Sequence, residues 1–308
     1  MPADTRSRSR RDRRGNDDRA RRTEEAQQAA YEMALAVRQA ADARKDAEWR
    51  AAADASRRRV VTLLGAPALP GVVLALVGIA LPALLIVGAL LVVAAVVLAA
   101  VTWSTMASGA ARAIGGLEPA EAVAGGVVGV VAAERFADLA EQLCTTLGVP
   151  EPRLAVLDDR ALNAISVGRS AGDATVLLTA GLLESAGRIE LEALIAHEIV
   201  HVKRLDVAAV ALELSPFGRL AGLGGERLAL WLEGHDRERS ADLAAVAVTR
   251  YPPGLLTALE KIAAAGDPTP TSVAAGVVAR TRRSWLAPLV EGEAGSSIAD
   301  RIDVLKEL

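Results

Sequence analysis

Residues 189–201 read IELEALIAHEIVH, an apolar helical pattern that contains His197-Glu198-Ile199-Val200-His201. On an α-helix, residues four apart project from one face about a turn apart, so two imidazoles at this H-E-x-x-H spacing can grip a single ion. Imidazole suits zinc, whose catalytic sites keep three protein ligands and leave one position for water. Glu198 adjoins the first ligand. From there its carboxylate can take a proton from a water activated by the metal and pass it to a leaving amine, which is the chemistry of peptide hydrolysis. Two of the three histidines of the chain stand in this motif; the bland alternative is a helix whose histidines are ordinary surface or core residues.

A two-histidine motif needs a third protein ligand. The segment HDRERSADLAAVAV (235–248) offers candidates on a second helix. Glu238 and Asp242 are four apart and share a face, so Glu238 can complete the site while Asp242 hydrogen-bonds a ligand imidazole and fixes its tautomer. His235, one turn before Glu238, is the rival ligand, or a donor to the transition state. Taken alone, RERSAD also reads as a charged, solvated helix face.

The rest of the chain places this site beside a membrane. Of its 308 residues 52% are hydrophobic and only 3% aromatic, so Ala, Val and Leu carry the apolar content, as suits helices and spans. The formal net charge of −3 hides a basic amino end and an acidic remainder. Residues 1–22 lack apolar periodicity and are expected to be a disordered tail. No aromatic residue interleaves with their arginines, and Asp12, Asp17 and Asp18 dilute them, so no nucleic-acid partner is expected. Residues 23–59, rich in Ala, Glu, Gln and Arg without proline or glycine, predict a long cytoplasmic helix through which the chain could oligomerise. Cys144, the single cysteine, excludes an intramolecular disulfide and a multi-cysteine metal site, fits a reducing compartment, and reads as core rather than nucleophile.

From Val60 to Thr102 no side chain is charged. That length predicts two spans, near Val60 to Ile79 and Leu84 to Trp103, with Leu81-Pro82 at the turn; one tilted or re-entrant span is the alternative. Arg57, Arg58 and Arg59 precede the first span, so the amino end is expected in the cytoplasm. Two spans bring the chain back, which makes a multi-pass cell-membrane protein whose catalytic domain is also cytoplasmic. Beyond the spans, residues 130–147 predict an amphipathic helix ended by Gly148 and Pro150. Residues 153–157, 163–168 and 174–179 predict strands, the last two joined as a hairpin by Arg169 to Asp173. Val207 to Leu214 and Leu220 to Leu232 are apolar but interrupted by Glu213 and Glu226, with Pro216 and Arg219 between, and read as buried or peripheral helices.

With these residues in view, the chain resembles the family M48 metallopeptidases, in particular their HtpX-like members, over roughly residues 150–308. The two spans resemble the amino-terminal hairpin of that group. Asn163-Ala164, a strand, and then Thr179-Ala180-Gly181-Leu182-Leu183 resemble the family's stretch ahead of its active-site helix. His197, Glu198 and His201 match its H-E-x-x-H; Glu238 and Asp242 match its E-x-x-x-D, where the glutamate is a ligand, which favours Glu238 over His235. The resemblance implies one Zn2+ per chain, endopeptidase action on protein or peptide substrates, and membrane protein quality control as the setting. It also implies that Asn163, Ala164, Ile165, Ser166, Val167 and Gly168 form an exposed sheet edge onto which an extended substrate adds.

One departure stands out. Many relatives carry His-Pro before a terminal Arg-Ile, whereas residues 296–305 read SSIADRIDVL, with Ser296, Ser297, Arg301 and Ile302 but no histidine. The alternative function is therefore a zinc-binding interaction protein of the same fold that is catalytically weak or inactive. The expected fold class is α+β: a mainly helical zincin-like metallopeptidase domain with a small β-sheet over residues 104–308, preceded by a transmembrane helical hairpin at 60–103.

Overall fold

The computed structural model describes residues 5–77, 82–113, 129–215, 237–266, 286 and 297–308. The chain divides into two units, Met1–Ala51 and Ala52–Leu308. Helix α1 (Thr5–Gly65) runs through residues 23–59 and also through residues 5–22, in place of the expected disordered tail. No proline and only one interior glycine, Gly15, fall within it, so nothing stops the helix from propagating through the Arg- and Ala-rich residues.

Pro67 ends α1, because proline lacks an N–H and its ring clashes with the carbonyl four residues back, while Pro70 sits in the first turn of the next helix, where a missing N–H is tolerated. The chain passes through a 3-10 turn (Ala66–Ala68) into α2 (Leu69–Val77). The stretch from Val60 is thus a helix end, a turn and a short helix rather than one unbroken span. Leu81 lies outside the described residues, and α3 (Pro82–Ala113) follows. Among the described residues, two stretches are long and apolar enough to cross a membrane, Leu35–Val77 and Leu84–Met106. Their outer faces carry exposed Leu69, Val73, Leu76, Leu90 and Val93, surface that an apolar surrounding would cover. Where α2 crosses α3, a Cβ on Gly88 would overlap the backbone of Ala75 and Gly71, so the two helices approach as closely as glycine allows.

The domain that follows is built around one helix. Helix α4 (Val130–Leu147) buries Ala133, Phe136, Leu139, Ala140, Leu143, Cys144 and Leu147 at helical spacing. It stops at Gly148, whose φ of 63° lets Gly148 and Val149 donate to the last carbonyls. A three-stranded sheet has the order β1 (Arg153–Leu157), β3 (Thr175–Thr179), β2 (Ala164–Val167). β1 runs parallel to β3, and β2 antiparallel to it with Ile165 opposite Leu177. Thr179 caps α5 (Ala180–Ser185) through its hydroxyl. Then comes α6 (Arg188–Arg204), which is buried on all sides from Ala193 to Val202. Around it pack α4, β2, α8 (Arg237–Thr249) and α9 (Pro252–Ala264). Helix α10 (Ile298–Lys306) closes the chain.

Helix α7 (Val207–Leu214) joins the domain to the apolar helices. Its Ala208, Ala209, Ala211 and Leu212 form one buried cluster with Val60 at the end of α1 and Met106 of α3, and Leu63 and Leu64 pack against it. It is a buried helix, covered by protein. Residues 220–232 lie outside the described residues.

Candidate metal centre

Helix α6 presents His197 and His201 on one face, and α8 brings Glu238 opposite them. His197 Nε2 lies 3.0 Å from His201 Nε2 and 3.1 Å from Glu238 Oε2. His201 Nε2 lies 3.5 Å from Glu238 Oε1. Ligand atoms around a tetrahedral zinc stand about 3.3 Å apart for bonds of ~2.0–2.1 Å, so this triangle has the size of such a site. Among the described residues it is the group of His, Cys, Asp and Glu fit to hold a metal ion. His235, the rival ligand, lies outside the described residues.

The outer nitrogens of both rings face acids. His197 Nδ1 is 2.8 Å from Asp242 Oδ1 and His201 Nδ1 is 3.1 Å from Asp206 Oδ2. A carboxylate facing Nδ1 draws the ring proton to that nitrogen and leaves the Nε2 lone pair free. Two imidazole lone pairs and a carboxylate then converge on one point that is almost closed to solvent, with His197 0%, His201 4% and Glu238 9% exposed. Only a cation relieves that concentration of electron density, so the donor set fits a divalent metal.

Charge keeps the acids ionised. Burial works to raise the Glu238 carboxyl, but the Arg237 guanidinium and His201 outweigh it and hold the group well below the usual glutamate range. For Asp242, burial is outweighed by Arg301 and His197. For Asp206, burial is outweighed by His201 with help from Arg237 and Arg204. Burial would lower His197, yet Asp242 and Glu238 together push it up to about 9, so without a cation this ring holds an extra proton that a metal must displace.

Arg301, fully buried on α10, forks onto both oxygens of Asp242 at 2.7 and 2.8 Å and donates to the carbonyl of Leu286. Its Nη1 is 3.5 Å from Glu238 Oε2. The carboxylate of Glu198, 2% exposed, accepts a 2.5 Å hydrogen bond from the Ser166 hydroxyl, which ties α6 to β2.

β2 lies at the edge of the sheet, but it is not the exposed edge expected: all four of its residues are buried. Peptide groups of an antiparallel strand face the partner at every second residue. Asn163 O accepts from Thr179 N, so Ala164, Ser166 and Gly168 face outward. Leu286 N donates to Ala164 O, and Gly168 N donates to Val207 O, so α7 and Leu286 cover the two ends. Asn163 itself locks the strand end, its side chain accepting from Ala164 N. Sequence reasoning missed Asp206, Ser166 as the partner of Glu198, and the role of Arg301. Asp206 alone carried a local signal, an acid just beyond the motif helix.

Residues 132–224 match Peptidase family M48. The Protease HtpX homolog of Dictyoglomus turgidum is 31% identical over 160 residues, 41% of this chain and 53% of that protein. Protease HtpX homolog 2 of Methanosarcina acetivorans is 29% identical over 172 residues, 45% and 58% of the two chains. The Protease HtpX homolog of Pyrococcus abyssi is 36% identical over 104 residues, 33% and 36%. The chain spans about half the length of the first two of these relatives. No solved structure matches it. On the matched residues, which include the H-E-x-x-H helix, the chain is similar to peptidase family M48 and to the HtpX homologues.

Proposed function

We propose that this protein is a membrane-anchored, zinc-dependent endopeptidase in which His197, His201 and Glu238 hold the ion and Glu198 is the general base. The observation that carries the reading is the convergence of two imidazole lone pairs and one carboxylate, each oriented or neutralised by a buried partner, next to a carboxylate that is not needed to bind metal. A zinc ion there supplies Lewis acidity toward a scissile carbonyl and acidifies water at the same point. Glu198 would serve as the base that takes a proton from water and passes it to the leaving amine, and Ser166 holds its carboxylate in place. Asp242 and Asp206 hold the two rings in the tautomer that points Nε2 inward.

The membrane setting completes the proposal. The hairpin places unfolded or damaged membrane proteins within reach as substrates. Both the amino end and the catalytic domain are cytoplasmic, because Arg57 to Arg59 stay on that side and two spans return the chain to it.

The test is zinc content and casein cleavage by detergent-purified protein beside Glu198→Gln. About one zinc per chain in both, with cleavage by wild type alone, is the expected result. Zinc in both with cleavage of no unfolded substrate by either would favour the interaction protein, and absence of zinc from wild type would remove the site assignment.

A further inference from the structure

The metal centre is connected to the helix that enters the membrane. Ser56 lies on α1, one turn before Val60, and is only 7% exposed. Its hydroxyl donates to Asp206 Oδ1 at 3.0 Å, across 150 residues of sequence. The other oxygen, Asp206 Oδ2, is 3.1 Å from His201 Nδ1. Asp206, itself 7% exposed, thus spends one oxygen on the ring and one on the serine.

Two features mark this bond as more than incidental. Serines and threonines inside helices commonly turn back to their own helix's carbonyls, as Ser104, Thr105, Thr146 and Thr249 do here. Ser56 instead reaches across to another element. The second feature is the turn that delivers Asp206. Leu205 sits at φ 60°, ψ 22°, a left-handed conformation that a leucine adopts at a cost, and this sends the chain back so that Asp206 lies beneath His201. Next to it, Val60, Leu63 and Leu64 pack with α7, fixing the height of Ser56 against Asp206.

We propose that Ser56 is a positioning residue of the metal centre: through Asp206 it sets the orientation of His201, so that metal affinity depends on the seating of the membrane-entering helix against the domain. A carboxylate fixed at only one oxygen can pivot, and His201 Nε2 would then leave the point shared with His197 and Glu238. This inference rests on the metal-centre reading above.

The test uses full-length protein in detergent, stripped with a chelator and titrated with zinc against a competing fluorescent chelator. Ser56→Ala is expected to weaken zinc binding about threefold to tenfold, the worth of one hydrogen bond. Ser56→Thr, which keeps the hydroxyl, retains wild-type affinity. Asp206→Asn weakens binding about 10- to 100-fold, and Ser56→Ala adds nothing further in that background. The visible absorption bands of the cobalt-loaded protein shift in Ser56→Ala, whereas the thermal midpoint of its stripped form stays at the wild-type value. Equal affinity and spectrum for Ser56→Ala and wild type overturn the inference and leave the metal centre standing. A Ser56→Ala loss that comes with a lowered midpoint and that threonine does not rescue reduces Ser56 to a packing role and overturns it too. Absence of zinc binding by wild type overturns the metal centre and the inference together.

Discussion

Arg301 is the largest fully buried side chain of the described residues, and it answers for the charge of the site. Its fork neutralises Asp242, which in turn faces His197. Removing one partner of a buried pair leaves the other uncompensated, at a cost of about 3–5 kcal/mol. Arg301→Met should therefore lower the thermal midpoint by on the order of 10 °C and weaken zinc binding, both measurable on the purified protein. An unchanged midpoint would mean that Asp242 finds another counter-charge. At this scale, legibility in the sequence followed distance along the chain. His197, Glu198 and His201 share one helix turn and were readable from their spacing. The partners 59 and 150 residues away, Arg301 for Asp242 and Ser56 for Asp206, left no local trace. Asp206 stands just beyond the motif helix as an acid, but its contact with His201 depends on the left-handed turn at Leu205, of which leucine gives no sign. Cys144, by contrast, reads correctly as core: burial and Glu151 push its thiol up to about 11, too high for a nucleophile at neutral pH.

At the scale of elements, α6 must hold its position for its two histidines to meet Glu238, and Glu190 fastens its first turn. The Glu190 carboxylate accepts from Gly187 N at 2.7 Å and pairs with Lys261 of α9 at 2.5 Å, while Lys261 also donates to Ser185 O. Burial works to raise the Glu190 carboxyl, but Lys261 and Gly187 outweigh it and lower it below its ordinary 4.5. A depressed carboxyl stabilises the fold above its unfolded value and loses that contribution as pH falls through the folded one. Glu190→Gln should thus cost roughly 0.5–1 kcal/mol at pH 7, and denaturant curves for the two proteins should draw together as pH drops below 4.5. A gap that persisted at lower pH would point to shape rather than charge. The β1 segment reads off its composition because its last four residues, Leu154 to Leu157, are apolar, and α4 because its apolar residues keep helical spacing. The burial of β2 did not, because what covers it, Leu286 and Val207, comes from far along the chain. The break at Ala66–Ala68 was legible in Pro67 and Pro70, but the length of the charge-free run outweighed them.

At the scale of the whole molecule, Val60 near the end of α1 and Met106 of α3 bury themselves in the same cluster on α7. The proposed hairpin, crossing and returning, would bring two such segments together, whereas a single crossing is the alternative that a topology measurement must exclude. The Arg169 guanidinium lies 5.7 Å from the Trp103 ring centroid, within cation–π range. Fusions at the carboxyl terminus check the topology: a fluorescent protein should light up and a periplasm-dependent phosphatase should stay inactive. The opposite pattern would require one crossing and place the catalytic domain outside.

The shared cluster of Val60, Met106, Ala208, Ala209, Ala211 and Leu212 also bears on how such proteins can be built. An anchor on a flexible leash can be exchanged for any other hydrophobic hairpin, as one exchanges a handle. Here the handle and the blade are cast in one piece, so a chimera that kept residues 129–308 and borrowed its membrane segment elsewhere would expose α7 and inherit a domain with part of its core missing.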